Sequence, residues 1–188
     1  MKKFASLIIA ALFSTQVAAT EIGGIDMPDT LTTSGSSLNL NGAGVREKFF
    51  MDLYVGGLYL QNKDQDAKKI INADEPMALR LHIVSGLITS EKMTEATKEG
   101  FDNALGGKKD PAMQAKIDTL LATFKDEIKE GDVFEMVYVP QEGIKVFKNT
   151  ALAKTIEGVD FKKALFGIWL SENPAQKSLK LEMLGTEG

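Results

Sequence analysis

Residues 41–61 read NGAGVREKFFMDLYVGGLYLQ, and their period decides the fold class. From Lys48 onward the chain alternates as a strand does. Phe49, Met51, Leu53, Val55, Gly57 and Tyr59 fall on one face, and Phe50, Asp52, Tyr54, Gly56 and Leu58 on the other. Both faces are largely apolar, which predicts a strand that is covered on both sides or lines a cavity. Gly56-Gly57 in mid-strand marks a bulge, a bend or a close approach by another element. A turn is expected over Gly44–Glu47, just ahead of this strand, and Arg46 sits within it. The guanidinium keeps its charge at any working pH, so it must be solvated or paired. Glu47 and Asp52 are the local carboxylates that would pair it; an anionic ligand is the other reading.

Arg46 and Tyr54 are eight residues apart, which is roughly 26 Å along a straight strand. The two reach one small head group only if the chain bends or turns between them; otherwise a long ligand must lie along the strand. Tyr59 is taken with them as a candidate ligand-binding residue, although a core aromatic with a satisfied hydroxyl is its plainer reading.

Outward from this segment the periods sort the rest of the chain. Toward the N-terminus, Thr20–Asp29 reads as an edge strand and turn, Thr30–Ser37 as a polar, flexible stretch, and Leu38–Val45 as a strand. Toward the C-terminus, Asn62–Asp74 suits a short helix and Met77–Val84 a half-buried strand, with Leu79, Leu81 and Ile83 opposite Arg80 and His82. Ser90 is placed as the N-cap of a helix running to about Leu105 and stopped by Gly106-Gly107. Asp110-Pro111 opens another, because proline at the first helical position forfeits no hydrogen bond.

The period then returns to two over Val133–Val139, Gly143–Lys148 and Ala151–Ile156, read as consecutive antiparallel strands. Asp160–Leu170 is an amphipathic helix carrying Phe161, Leu165, Phe166 and Trp169, and Pro174 starts a last one. Strands, helices, strands and helices in that order, without a repeated strand–helix–strand unit, predict an α+β domain whose antiparallel sheet is covered by helices on one face.

Residues 1–19, MKKFASLIIAALFSTQVAA, have the form of a cleaved secretory signal: two lysines, a short apolar run, then small residues before Thr20. The apolar run is about half of what a bilayer crossing needs. Residues 20–188 are then a single mature domain, long enough to bury roughly 70% of the unfolded chain's surface. Periplasmic delivery is the expected destination. Removing Lys2 and Lys3 with the leader turns the formal charge of −4 into −6. That acidic balance with scattered lysines argues against nucleic acid and against stable binding to anionic membranes. The chain has no cysteine, which excludes a lipoprotein anchor, a disulfide scaffold and a thiolate metal site.

One histidine, His82, excludes a His-rich metal centre, and no G-x-S-x-G, P-loop or dinucleotide motif is present. No metal or cofactor is expected.

GAGVREKFFMDLYVGGLYL resembles the glycine-flanked G-V-R turn and following strand of the chalcone isomerase family. Phe161–Gly185, FKKALFGIWLSENPAQKSLKLEMLG, is similar to the C-terminal helix, proline turn and helix of its bacterial members. The resemblance implies an open-faced β-sandwich: a large curved antiparallel sheet with helices packed on it. In the plant enzymes the arginine of this turn holds a substrate phenolate, and in fatty-acid-binding members an arginine and a tyrosine hold a carboxylate. Arg46 matches the arginine. Tyr54 stands where the enzymes carry a strand threonine, with a shorter segment between. The enzymes' later catalytic tyrosine and asparagine have no match, so catalytic residues are left unassigned.

Three functions follow as expectations. The first is binding of a small amphipathic or carboxylate ligand such as a fatty acid. The second is an isomerase (intramolecular lyase) in which Arg46 stabilises an oxyanion. The third is a non-enzymatic role in assembling the cell envelope.

Overall fold

Alternation and turn chemistry give a meander in which each strand pairs with its neighbour in sequence. The computed structural model describes residues 18–33 and 35–186. The leader expected over residues 1–19 lies outside them apart from Ala18 and Ala19. A small hairpin, β1 (Ala19–Ile22) and β2 (Ile25–Pro28), precedes seven strands: β3 (Thr30–Thr33), β4 (Ser36–Lys48), β5 (Met51–Leu60), β6 (Met77–Ile83), β7 (Val133–Val139), β8 (Gly143–Lys148) and β9 (Ala151–Ile156). The seven form one antiparallel sheet in sequence order. Among the described residues five α-helices interrupt or follow it: α1 (Ala67–Asn72), α2 (Ser90–Leu105), α3 (Pro111–Leu121), α4 (Val159–Leu170) and α5 (Lys177–Met183). The expected α+β architecture, a curled antiparallel sheet with helices on one side, is the one observed.

The alternation of β5 separates two apolar layers. Tyr54 and Leu58 join Leu79, Leu81, Met136, Phe166 and Trp169 beneath the helices. Val55 and Tyr59 face the other way, packing with Met27, Leu38, Leu40, Ala78 and Val137 under the β1–β2 hairpin. A strand apolar on both faces is thus buried on both.

Two expectations near the N-terminus change. Residues 30–33, read as a flexible polar stretch, form edge strand β3, whose Leu31 pairs with Leu38. The turn expected over Gly44–Glu47 is absent: β4 runs on through Arg46 to Lys48, and the chain reverses at Phe49-Phe50. Both phenylalanines have positive φ, 52° and 63°, the signature of the two-residue hairpin turn normally made by Asn-Gly. For bulky residues this backbone costs about 1–2 kcal/mol each.

The glycines of the N-G-A-G motif serve packing instead. A Cβ on Gly42 would strike the Glu182 carbonyl, and one on Gly44 the Glu182 side chain, so small residues let α5 lie directly on β4. Asn41 fastens the same corner by donating from Nδ2 to the carbonyls of Asp64 and Met183, each at 2.9 Å.

Helix starts shift for identifiable reasons. Thr89 rather than Ser90 caps α2, its hydroxyl accepting from the Lys92 N–H, while the Ser90 hydroxyl donates to the Phe124 carbonyl. The last helix begins at Lys177 instead of Pro174, because Gln176 is held extended by bonds to β4. Asp110 and Pro111 open α3 as expected, with Asp110 accepting from the Met113 N–H at 2.7 Å.

Candidate ligand-binding site

The hairpin removes the distance between the two candidate anchors. Arg46 on β4 is the direct cross-strand partner of Tyr54 on β5, and side chains of such a pair project from the same face, about 5 Å apart at their Cβ atoms. That face looks toward α2 and α4. Just beyond the pair the register shifts: Arg46 aligns with Tyr54, but Glu47 aligns with Asp52. Leu53 is the extra residue, and the bulge turns both Leu53 and Tyr54 toward the same cavity.

Neither neighbouring carboxylate takes the arginine. Among the described residues Arg46 has no ion pair; its Nη1 donates to the Glu47 carbonyl and, at 3.0 Å, to Oε1 of Gln176. Gln176 is the clamp: Oε1 also accepts the Glu47 N–H at 2.9 Å, and Nε2 donates to the Val45 carbonyl at 3.1 Å. A half-buried guanidinium held by neutral acceptors keeps its full charge for an anion.

Tyr54 is almost fully buried. Its hydroxyl accepts from Trp169 Nε1 at 2.9 Å. Burial raises its pKa above the ordinary phenol value, against the opposing pull of Trp169 and of the nearby Arg46 charge. The phenol therefore stays protonated and has its own O–H to offer an oxyanion.

Behind the pair lies a cavity of about 810 Å³ between the sheet and α2, α4 and the segment after α3. Leu81 and Met136 form its floor, Met93, Leu120, Phe124 and Ile168 its apolar walls. The volume lies within the roughly 300–1,000 Å³ of ordinary small-molecule sites. Lys48, Lys92, Glu95 and Glu99 are the other charged residues around it. A second concavity of about 590 Å³ beside Asn41, Asp64 and Gly185 is polar and open, and Asn41 there is already engaged in structural bonds.

A model of chalcone isomerase-like proteins matches residues 19–185. The chain belongs to the chalcone isomerase-like family. Among solved structures it is similar to a fatty-acid binding protein of Arabidopsis thaliana, with a TM-score of 0.70 and 18% identity over 86% of this chain and 92% of that one. At that identity the likeness speaks for the fold. No curated protein sequence matches the chain significantly.

Within this chalcone isomerase-like fold, Tyr59 is not brought to the cavity. It lies on the opposite face, fully buried; its hydroxyl has no hydrogen-bond partner among the described residues, and burial pushes its pKa up. His82 shares that face, paired with Val55 and Val133, and burial with the Arg80 charge lowers its pKa. No imidazole thus reaches the Arg46–Tyr54 pair, and the arrangement is one that holds an oxyanion against an apolar chamber.

Two contributors escaped the sequence reading. Trp169 was visible only as part of a helical stripe, although a lone tryptophan with a polar N–H in such a stripe signals a partner. Gln176 gave no local signal, since its role depends on β4, about 130 residues earlier in the chain.

Proposed function

We propose that this protein binds a long-chain fatty acid or a closely related amphipathic carboxylate, with Arg46 and Tyr54 holding the carboxylate and the cavity enclosing the chain. The observation that carries this reading is the cross-strand placement of an arginine without a carboxylate partner and a buried, protonated tyrosine at one apolar chamber. The pairing of a fixed cation with a hydroxyl donor suits a carboxylate, which accepts from both at once. The fold's likeness to a fatty-acid binding protein supports the same assignment.

Lipid extraction and mass spectrometry of the purified protein tests it. A co-purified carboxylic acid is expected, and Arg46→Ala should lower its occupancy severalfold. Equal occupancy in the two proteins would sink the anchor assignment.

The binding is proposed to take place after export, on the strength of the basic, apolar and small-residue pattern of residues 1–19. The intact mass of the protein recovered from the periplasmic fraction should correspond to a chain beginning at Thr20. A protein retaining Met1 and found only in the cytosol would refute this.

A further inference from the structure

The β4–β5 turn stands at the mouth of the cavity and takes no part in the Arg46–Tyr54 anchor. Phe49 and Phe50 are its two central residues, exposed at 78% and 105% of their reference areas, and Met51 follows at 42%. Both phenylalanines hold positive φ. Among the described residues the same two-residue turn occurs twice more, and there it is built from Gly23-Gly24 and from Asn149-Thr150. At the tip beside the cavity the chain carries two large aromatics in a backbone that disfavours them, with almost no burial in return. Folding does not account for that choice.

The position of the tip does. Phe49 and Met51 are exposed and also line the cavity, as does Leu87, itself 44% exposed, on the loop after β6. A Val84 N–H bond to the Leu53 carbonyl, 3.0 Å, ties that loop to β5. The apolar surface is therefore continuous from the outermost ring to the chamber behind Arg46 and Tyr54. Lys48 and Lys92 flank it, with the Lys48 ammonium 5.8 Å from the Phe49 ring centre. Glu47 and Asp52 sit one residue pair back from the tip.

We propose that the Phe49-Phe50 turn is a bilayer-docking tip, which enters the interfacial layer of a lipid membrane so that an acyl ligand passes between bilayer and cavity along a continuous apolar path. This rests on the carboxylate-binding function proposed above. Exposed aromatics at a tip partition into the headgroup–acyl boundary, and flanking lysines meet lipid phosphates. No described helix is long and apolar enough to cross a membrane, and the chain is acidic overall. Contact is then shallow, transient and led by the apolar tip. A bilayer is favoured over a protein partner because the patch opens into the chamber where the chain of the ligand must go.

The test uses two chains that differ only at the turn: the protein and its Phe49→Asn/Phe50→Gly variant. The variant has the preferred residues for this backbone, so the hairpin and the Arg46–Tyr54 pair are preserved. In flotation with phosphatidylcholine vesicles, with and without phosphatidylglycerol, the protein should rise with the lipid and the variant should do so at least tenfold less. Transfer of anthroyloxy-labelled palmitic acid from protein to vesicles should quicken in proportion to vesicle concentration; for the variant it should be slow and independent of vesicle concentration. Equal flotation of the two chains overturns the proposal, as does a protein that stays in the soluble fraction, the outcome expected of a protein-docking tip. If no labelled acid is taken up, the ligand assignment fails while flotation still decides the docking. If it is taken up but released at a rate indifferent to vesicles, the ligand assignment stands and the docking fails.

Discussion

Arg46 and Tyr54 face each other across the β4–β5 ladder, and the phenol oxygen between them and the helices receives the Trp169 N–H at 2.9 Å. A cation and a neutral donor are thereby presented side by side at the head of an apolar chamber. Hydrogen bonds to a charged group are worth about 1.5–3 kcal/mol each. Arg46→Ala should therefore weaken fatty-acid affinity roughly 10- to 100-fold by isothermal titration. Arg46→Lys should recover only part of this, since an ammonium lacks the planar fork. Unchanged affinity in Arg46→Ala would remove the anchor.

Trp169 is the chain's single tryptophan, and it borders the cavity as well as donating to Tyr54. Ligand entry should change its emission intensity or wavelength in the wild-type protein. Tyr54→Phe leaves the buried indole N–H without that acceptor, a loss of about 1–3 kcal/mol in stability. Denaturant titration of Tyr54→Phe, Trp169→Phe and the double variant should show that the two losses are not additive. Additive losses would mean that the bond contributes nothing.

Leu81 lies on the cavity floor, nearly inaccessible to solvent. Leu81→Trp extends into the chamber and should shift preference toward shorter acyl chains, with affinity for long ones falling about tenfold or more. Affinity for short chains should stay within a factor of a few, because Arg46 and Tyr54 are untouched. Competition binding across a chain-length series reads this out. A uniform loss at all lengths would show that the chamber does not hold the tail.

Lys162 predicts how stability responds to alkali. Fully buried, it donates to the carbonyls of Ile70, Ile71 and Ala73 at 2.7, 3.0 and 2.8 Å, closing the end of α1. Burial, helped by the neighbouring Lys163 charge, lowers its pKa from 10.5 to about 8. Below pH 8 both states hold the proton and its contribution is constant. Between about 8 and 10.5 the unfolded chain binds more protons than the folded one, so stability rises with pH, by at most ~1.4 kcal/mol per unit. Above about pH 10 the raised pKa values of Tyr54, Tyr59 and Tyr138 reverse the sign, since the unfolded phenols ionise first. Denaturation midpoints should therefore climb from pH 8 toward 10 and then fall. Lys162→Met leaves the carbonyls of Ile70, Ile71 and Ala73 without that donor, so it should be destabilised at neutral pH by about 1–3 kcal/mol and should lose the climb.

Local patterns along the chain suffice for most of the elements and for their class. Period-two runs placed β6 to β9 nearly to the residue, Asp110-Pro111 and Gly106-Gly107 bounded their helices, and the two-sided apolar character of residues 51–60 foretold burial on both faces. These are local properties: backbone propensity and side-chain alternation act over a few residues and can be read within them. Arg46 was legible as a candidate for the same reason, as a charge set in an apolar strand that had to be explained.

What the local pattern misjudged was where the chain turns. Phe49-Phe50 carries none of the residues that favour positive φ, so local pattern puts the reversal over Gly44–Glu47, although Gly44, like Gly42, instead makes room for α5. That misplacement set Arg46 and Tyr54 a strand's length apart, when the ladder makes them neighbours. Contacts across the fold are what turn the Tyr54 face of β5, and not the Tyr59 face, toward the chamber, bring Trp169 and Gln176 to the anchor pair, and leave a cavity between α2 and the sheet. Each of these depends on contacts between segments distant in the chain. Their energy comes from packing and desolvation summed over the whole fold, and no window of sequence contains it.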